Sequence, residues 1–410
     1  MSSIASLNDK CLLKIAEYLD IGEQLCLWQA TDPTSRLNII LLNCWQSQNN
    51  HFLHGKIFED KPELLHKFLE CISSTVVKLT VVDFSLDQAS GFRSHSFPKA
   101  RVLDYSREES DVDDMETLVT CFPLIESFKM SVKDEILSAH HVVRWERLRK
   151  LDIMEASMHW KTKCFQEVCQ KLELQLLSVA WIESEEDAYV EAICKLQELE
   201  ELQLELMVLS RENTRKLLTL PKLKKLRLDE FEDVTDLLDI VVEMRGQDVV
   251  SLTCNENFWL YLIPNHFQNV RKVCIINEGV VEGIWTAESF NKSLREFPCL
   301  VELYLKDTTI WGTGDEFWDM IYSCPQLQLI YLHSHEIDDG CLEFSASTMD
   351  KALCQRQNPL VIHFFKTSHE ELILKLLSHS KIEISFKVLK DAYPNLYGGL
   401  LELEFIALKS

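Results

Sequence analysis

Leu199-Glu200-Glu201-Leu202-Gln203-Leu204 is followed, 24 residues on, by Leu223-Lys224-Lys225-Leu226-Arg227-Leu228. Both stretches read L-x-x-L-x-L, and the alternation at their ends is that of a strand with one face buried. Working outward, Leu148/Leu151/Ile153 and Leu300/Leu303/Leu305 repeat the pattern. Looser copies are Val76/Leu79/Val81, Ala100/Leu103/Tyr105, Ile125/Phe128/Met130, Leu174/Leu177/Val179, Val249/Leu252/Cys254, Val270/Val273/Ile275 and Leu327/Ile330/Leu332. Weaker ones begin at Pro359, His379 and Leu400. A motif returning roughly every 25 residues marks a repeat array, whose units bury their apolar edges only by stacking.

Proline supplies an independent register. Pro98, Pro123, Pro221, Pro298 and Pro325 each stand two residues before the first apolar position of a copy, behind Phe97, Phe122, Leu220, Phe297 and Cys324. Proline cannot continue a helix, so it ends one and feeds an extended chain into the next strand. Between copies the apolar spacing turns helical, as in Phe317, Met320, Ile321 and Cys324, with start signals at Ser184, Thr235 and Thr286. This strand–turn–helix order resembles the leucine-rich repeat family over residues 73–410. The resemblance implies an α/β solenoid (a horseshoe) of roughly 11–14 irregular repeats.

The first fifty residues lie outside the period and read as three helices. Ser6 with Asp9 suggests a capping box, ahead of an apolar face at Leu12, Ile15, Ala16 and Leu19. Leu25, Leu27 and Trp28 belong to a second helix, and Ser35 opens a third bearing Leu37, Ile40, Leu41 and Cys44. Leu7-Asn8-Asp9-Lys10-Cys11-Leu12-Leu13-Lys14-Ile15-Ala16-Glu17-Tyr18-Leu19 resembles the F-box. Leu7, Leu12, Ile15 and Leu19 match it position for position, as does Leu25 further on, while Asn8 and Lys10 replace its proline and glutamate. The domain reading is an F-box at 1–50, a linker and bridging helix at 51–72 begun by Pro62, and leucine-rich repeats at 73–410.

Composition narrows the function. The chain has 410 residues and a formal charge of −23, a field that repels nucleic acid. No P-loop or zinc-protease motif occurs, and no cofactor, metal or catalytic residue is expected. No apolar run reaches bilayer length and no signal peptide is evident, so no membrane contact is expected. The 14 cysteines then read as reduced thiols of a cytoplasmic or nuclear protein.

Together the two resemblances imply a substrate-recognition subunit of an SCF-type ubiquitin ligase, not itself an enzyme. Leu7, Asn8, Leu12, Ile15, Leu19 and Leu25 would bind the ligase adaptor and, through it, cullin. The repeats would bind a protein substrate. Strand alternation turns Arg227, Tyr304 and Tyr331 away from the leucines, and their types suit binding anchors. The other reading is a non-ligase leucine-rich repeat scaffold or inhibitor of a basic intracellular protein.

Overall fold

The computed structural model describes residues 7–59, 61–107, 114–132, 139–154, 160–180, 185–205, 209–229, 235–255, 259, 266–277, 287–306, 313–333, 342–354, 356–365, 367, 369–387 and 400–406. Ser6, Ser184 and Thr286 lie outside them. The chain forms two compact units, Met1–Leu199 and Glu200–Ser410. Each is a mixed α/β array in which strands alternate with short helices.

In the first unit, helices α1 (Asp9–Tyr18), α2 (Ile21–Gln29) and α3 (Arg36–Ser47) precede strand β1 (Asn50–His54) and helix α4 (Pro62–Ile72). Strands β2 (Lys78–Val82), β3 (Val102–Arg107), β4 (Ser127–Val132), β5 (Lys150–Asp152) and β6 (Leu176–Ala180) follow. The six strands pair in chain order, all parallel. The register sets Leu79, Leu103, Phe128, Leu151 and Leu177 in one row, and pairs Leu53 with Val81 in the row beside it. Every member of the first row is at most 1% exposed. The array therefore begins with β1, which takes in Asn50 at the end of the stretch read as an F-box and residues 51–54 of that read as a linker, because β1 pairs with β2 as any other strand does.

One hydrogen-bond device recurs at the strand starts. The carbonyl of Asn49 accepts from Val77 and Lys78, that of Val77 from Arg101 and Val102, and that of Arg101 from Glu126 and Ser127. Glu126 and Arg149 serve the next two strands in the same way. Just before several strands the chain turns: Ala100, Leu148 and Leu199 donate to the carbonyls of Phe97, Trp145 and Leu196, three residues back. Leu223, Leu300 and Leu327 repeat that turn in the second unit. Pro98, Pro221, Pro298 and Pro325 stand inside such turns, where a missing N–H costs nothing.

The second unit contains β7 (Glu201–Glu205), β8 (Lys225–Asp229), β9 (Val249–Asn255), β10 (Lys272–Ile276), β11 (Glu302–Lys306), β12 (Leu329–His333), β13 (Leu360–Phe365), β14 (Ile382–Ser385) and β15 (Leu400–Phe405). The copies at Pro359 and His379 become β13 and β14, parallel continuations of the array. The copy at Leu400 does not continue it. β15 returns and inserts antiparallel between β8 and β9, so the order is β7-β8-β15-β9-β10-β11-β12-β13-β14.

The insertion fits because β15 carries the same alternation. Leu403 stands between Leu226 and Leu252, and Leu401 between Leu228 and Cys254, so the apolar row runs through unbroken. On the other face Glu402 is buried and ion-paired with Lys225 at 2.9 Å. Arg245 fastens the strand's end. Its guanidinium lies 4.2 Å over the Phe405 ring and donates to the carbonyls of Ile406 and Leu223.

Three substitutions test this register. Leu226→Ala should cost about 2–5 kcal/mol, because it opens a cavity in the leucine row. Glu201→Ala, on an exposed outward position, should stay within about 0.5 kcal/mol. Lys225→Ala should cost about 1–3 kcal/mol despite also pointing outward, since it strands the Glu402 carboxylate. Denaturant midpoints at constant m-value measure all three, and equal effects at 201 and 226 would refute the assignment of faces. A chain ending at residue 399 tests the seam. Amide exchange at Leu226–Leu228 and Leu252–Cys254 should accelerate by orders of magnitude while that of Leu79–Val81 is kept.

Candidate functional site

The N-terminal bundle is built from its caps inward. Asn8, in place of the expected Ser6, caps α1 by accepting from the Cys11 N–H at 2.9 Å. Asp20 and Glu23 form a reciprocal capping box on α2, and Ser35 caps α3. Asp9 and Arg36 join the starts of α1 and α3 by an ion pair. Between these helices Leu12 packs with Leu37 and Ile40, and Ala16 with Leu41 and Cys44.

Gln24, which the sequence reading passed over, organises the interior. Its side-chain N–H groups donate to the carbonyls of Ala16 and Leu19 at 2.8 and 2.9 Å, and its oxygen accepts from Trp45 Nε1 at 2.6 Å. One buried amide thus satisfies the end of α1 and the indole of α3. The legible signal was a glutamine on the apolar side of a short helix, three residues from Leu27.

The structure divides the six adaptor-binding candidates. Leu12 and Leu25 are 1% and 2% exposed, so they hold the bundle together and cannot meet a partner. Leu7 is exposed, Ile15 and Leu19 are half-buried, and Asn8 is occupied as a cap. Tyr18, absent from the candidates, is 82% exposed. With exposed Cys11 and half-buried Ile15 it follows helical spacing, and the three share one side of α1, while Leu7 stands just ahead of the Asn8 cap. Ile39 on α3 is 52% exposed as well.

The bundle is joined to the array through aromatic rings. Trp45 meets Trp28 at 6.0 Å between centroids and Phe68 of α4 edge-on at 5.0 Å. The chain of contacts runs on through Phe58, Phe84, Phe92, Phe97 and Phe122. His51 of β1 packs edge-on against Phe68, and burial lowers its pKa, which keeps it neutral there.

On the strand face opposite the leucines, the first unit pairs its own charges: Lys78 with Asp104 at 2.9 Å and Lys129 with Asp152 at 3.0 Å. In the second unit Arg227 donates to both Asp229 oxygens, and Asp229 also accepts from Gln203. Tyr304 and Tyr331 occupy the expected face but are 8% and 1% exposed. They pack with Cys274, Ile276 and Phe365, their rings 5.9 Å apart. Lys272 lies over the Tyr304 ring, whose hydroxyl donates to Glu302 at 3.1 Å. Burial, with Glu302 beside it, holds that phenol protonated far above its usual range. The expectation of exposed anchors fails for both tyrosines, because neighbouring strands about 4.8 Å apart let adjacent rings cover each other.

A cleft of about 620 Å³ opens where β1, β2 and β3 end, lined by Lys56, Asp83, Phe84, Ser85, Leu86, Asp87 and Arg107. At Gly55 a Cβ would fall 1.9 Å from the Asp83 carbonyl oxygen, so glycine alone permits this approach. Asp83 itself is left-handed at φ 54°. The Ser85 hydroxyl is engaged as a helix cap for Gln88. No helix among the described residues is long and apolar enough to cross a membrane.

No protein-family model matches the chain, and no curated protein does. Among solved structures, a chain described as "Crystal structure of Rad7 and Elc1 complex in yeast" overlaps 60% of this chain and 71% of its own length, at 12% identity and a TM-score of 0.34. At that score the reading of this chain rests on its own residues.

Replacing Gln24 tests the bundle. Gln24→Ala strands the buried Trp45 N–H at about 1–3 kcal/mol and takes a donor from the Ala16 and Leu19 carbonyls. Near-ultraviolet dichroism and Trp fluorescence should show loosened packing around Trp45, and an unchanged melting curve would contradict the role assigned to this amide.

Proposed function

We propose that the chain is the substrate-recognition subunit of an SCF-type ubiquitin ligase. Residues 1–50 act as an F-box that binds the ligase adaptor and, through it, cullin, while the array holds a target protein. One observation carries the reading: a bundle with a packed interior leaves Ile15 half-buried and Tyr18 exposed along one side of α1, with Leu7 exposed just ahead of the helix. Apolar side chains left out of a finished core are the material of a partner interface. The ring contacts from Trp45 to Phe122 supply the second requirement, a stiff connection between adaptor and target.

In this reading the chain contributes no catalytic group. It raises the concentration of target beside the charged conjugating enzyme. The compartment is the cytoplasm or nucleus. Arg227 remains a candidate for target contact only if Asp229 releases it. The formal charge of −23 favours a second reading, an inhibitor or scaffold for a basic protein.

Adaptor recovery from cell extract separates the two. Ile15→Asp and Tyr18→Asp place a charge on the contact side, and each should abolish recovery of adaptor and cullin with far-ultraviolet dichroism unchanged. Leu12→Asp should instead melt the bundle. Adaptor bound equally by wild type and both surface variants would sink the proposal, and capture of a basic protein in its place would establish the second reading.

A further inference from the structure

A second cluster of chemically capable side chains lies away from α1. His66 projects from α4, and His95 caps the short helix Gly91–Ser94 of the next repeat. Nδ1 of His66 and Nε2 of His95 are 3.0 Å apart, with ring centroids at 4.6 Å. The Ser94 hydroxyl lies 3.4 Å from the same Nδ1. At that separation one proton serves both nitrogens, so at least one lone pair points into the gap. The backbone fixes His95, whose N–H donates to the Phe92 carbonyl at 2.9 Å.

Glu70 stands one turn beyond His66 on α4, which places the two on the same side of that helix. Tetrahedral zinc with Zn–N bonds of 2.0–2.1 Å sets two ligating nitrogens about 3.3 Å apart. The observed pair needs to open by only a few tenths of an ångström to accept an ion. No set of three metal-ligating residues is already assembled among the described residues. Two are in place, and the exposed Glu70 side chain is free of the packing that would hold it elsewhere.

We propose that His66, His95 and Glu70 form a binding site for a divalent transition ion of the zinc class, with solvent completing its coordination. Two imidazoles and a carboxylate suit such an ion and disfavour magnesium or calcium, which take oxygen ligands. The ion joins α4, against which α3 packs, to the first turn of the repeat that follows. It acts as a staple between the helix that carries the bundle and the array.

Calorimetric titration of the full chain with zinc alone tests the site. One equivalent should bind saturably. His66→Asn and His95→Asn should each weaken that binding at least about tenfold, and Glu70→Gln should weaken it several-fold. The pair His140→Asn/His141→Asn, a neighbouring-imidazole control, should leave it unchanged. Zinc should also shield His66 and His95 of the unsubstituted chain from acylation by diethyl pyrocarbonate, a readout that needs no variant to fold. The absence of a saturable equivalent overturns the proposal. So does zinc binding that survives both histidine substitutions, which would place the ion on cysteines, or equal acylation of the two residues with and without zinc.

Discussion

At the start of most strands, two successive N–H groups hang on one carbonyl of the strand before. The rest of the structure depends on this shared acceptor. It fixes the register of a parallel pair at one end, before any side chain has packed. A one-residue slip would turn every leucine to the other face. The turn just before it, closed in several copies by the first apolar residue, delivers the chain at the same angle in each of them. Leu79, Leu103, Phe128, Leu151 and Leu177 form a continuous row because the shared acceptors hold that register.

A sheet so constrained treats its two faces differently. The leucine face is closed by construction, leaving the opposite face to vary. In the first unit that face spends its charges on itself, through Lys78–Asp104 and Lys129–Asp152. In the second it grades from the Arg227–Asp229 pair to the ring cluster around Tyr331. The side of α1 is a different kind of surface: its apolar groups have neither a partner strand nor a neighbouring ring to lean on. That contrast is why the contact surface is sought on the bundle first.

Much of this was legible. The proline register predicted where helices end, since a residue without an N–H is tolerated at few places. The three N-terminal helices followed from apolar spacing. What stayed hidden has identifiable causes. Alternation with period two reads the same in both directions, so Leu400-Leu401-Glu402-Leu403 matched the motif without revealing that β15 runs antiparallel. Burial of Tyr304 and Tyr331 depends on what the adjacent strands bring alongside, which no single copy contains. The role of Gln24 depends on Trp45, which lies 21 residues away. The N-cap moved from Ser6 to Asn8 because asparagine satisfies the same N–H from nearer the first apolar turn.

β15 also has a consequence for how the protein comes into being. A solenoid of parallel strands can assemble in the order of translation, each repeat docking on the one before as it leaves the ribosome. This chain can do so only up to β8. The place beside it belongs to residues 400–405, which are made after β9 to β14, so β9 must wait without its proper neighbour. The ring of contacts from Arg245 to Ile406 spans 161 residues, a loop whose closure is slow and comes at the end. The sheet of the second unit is therefore closed only after β15 has been made. A nascent chain stopped before residue 400 carries two open strand edges in the middle of its second unit, the kind of surface that chaperones and proteases detect.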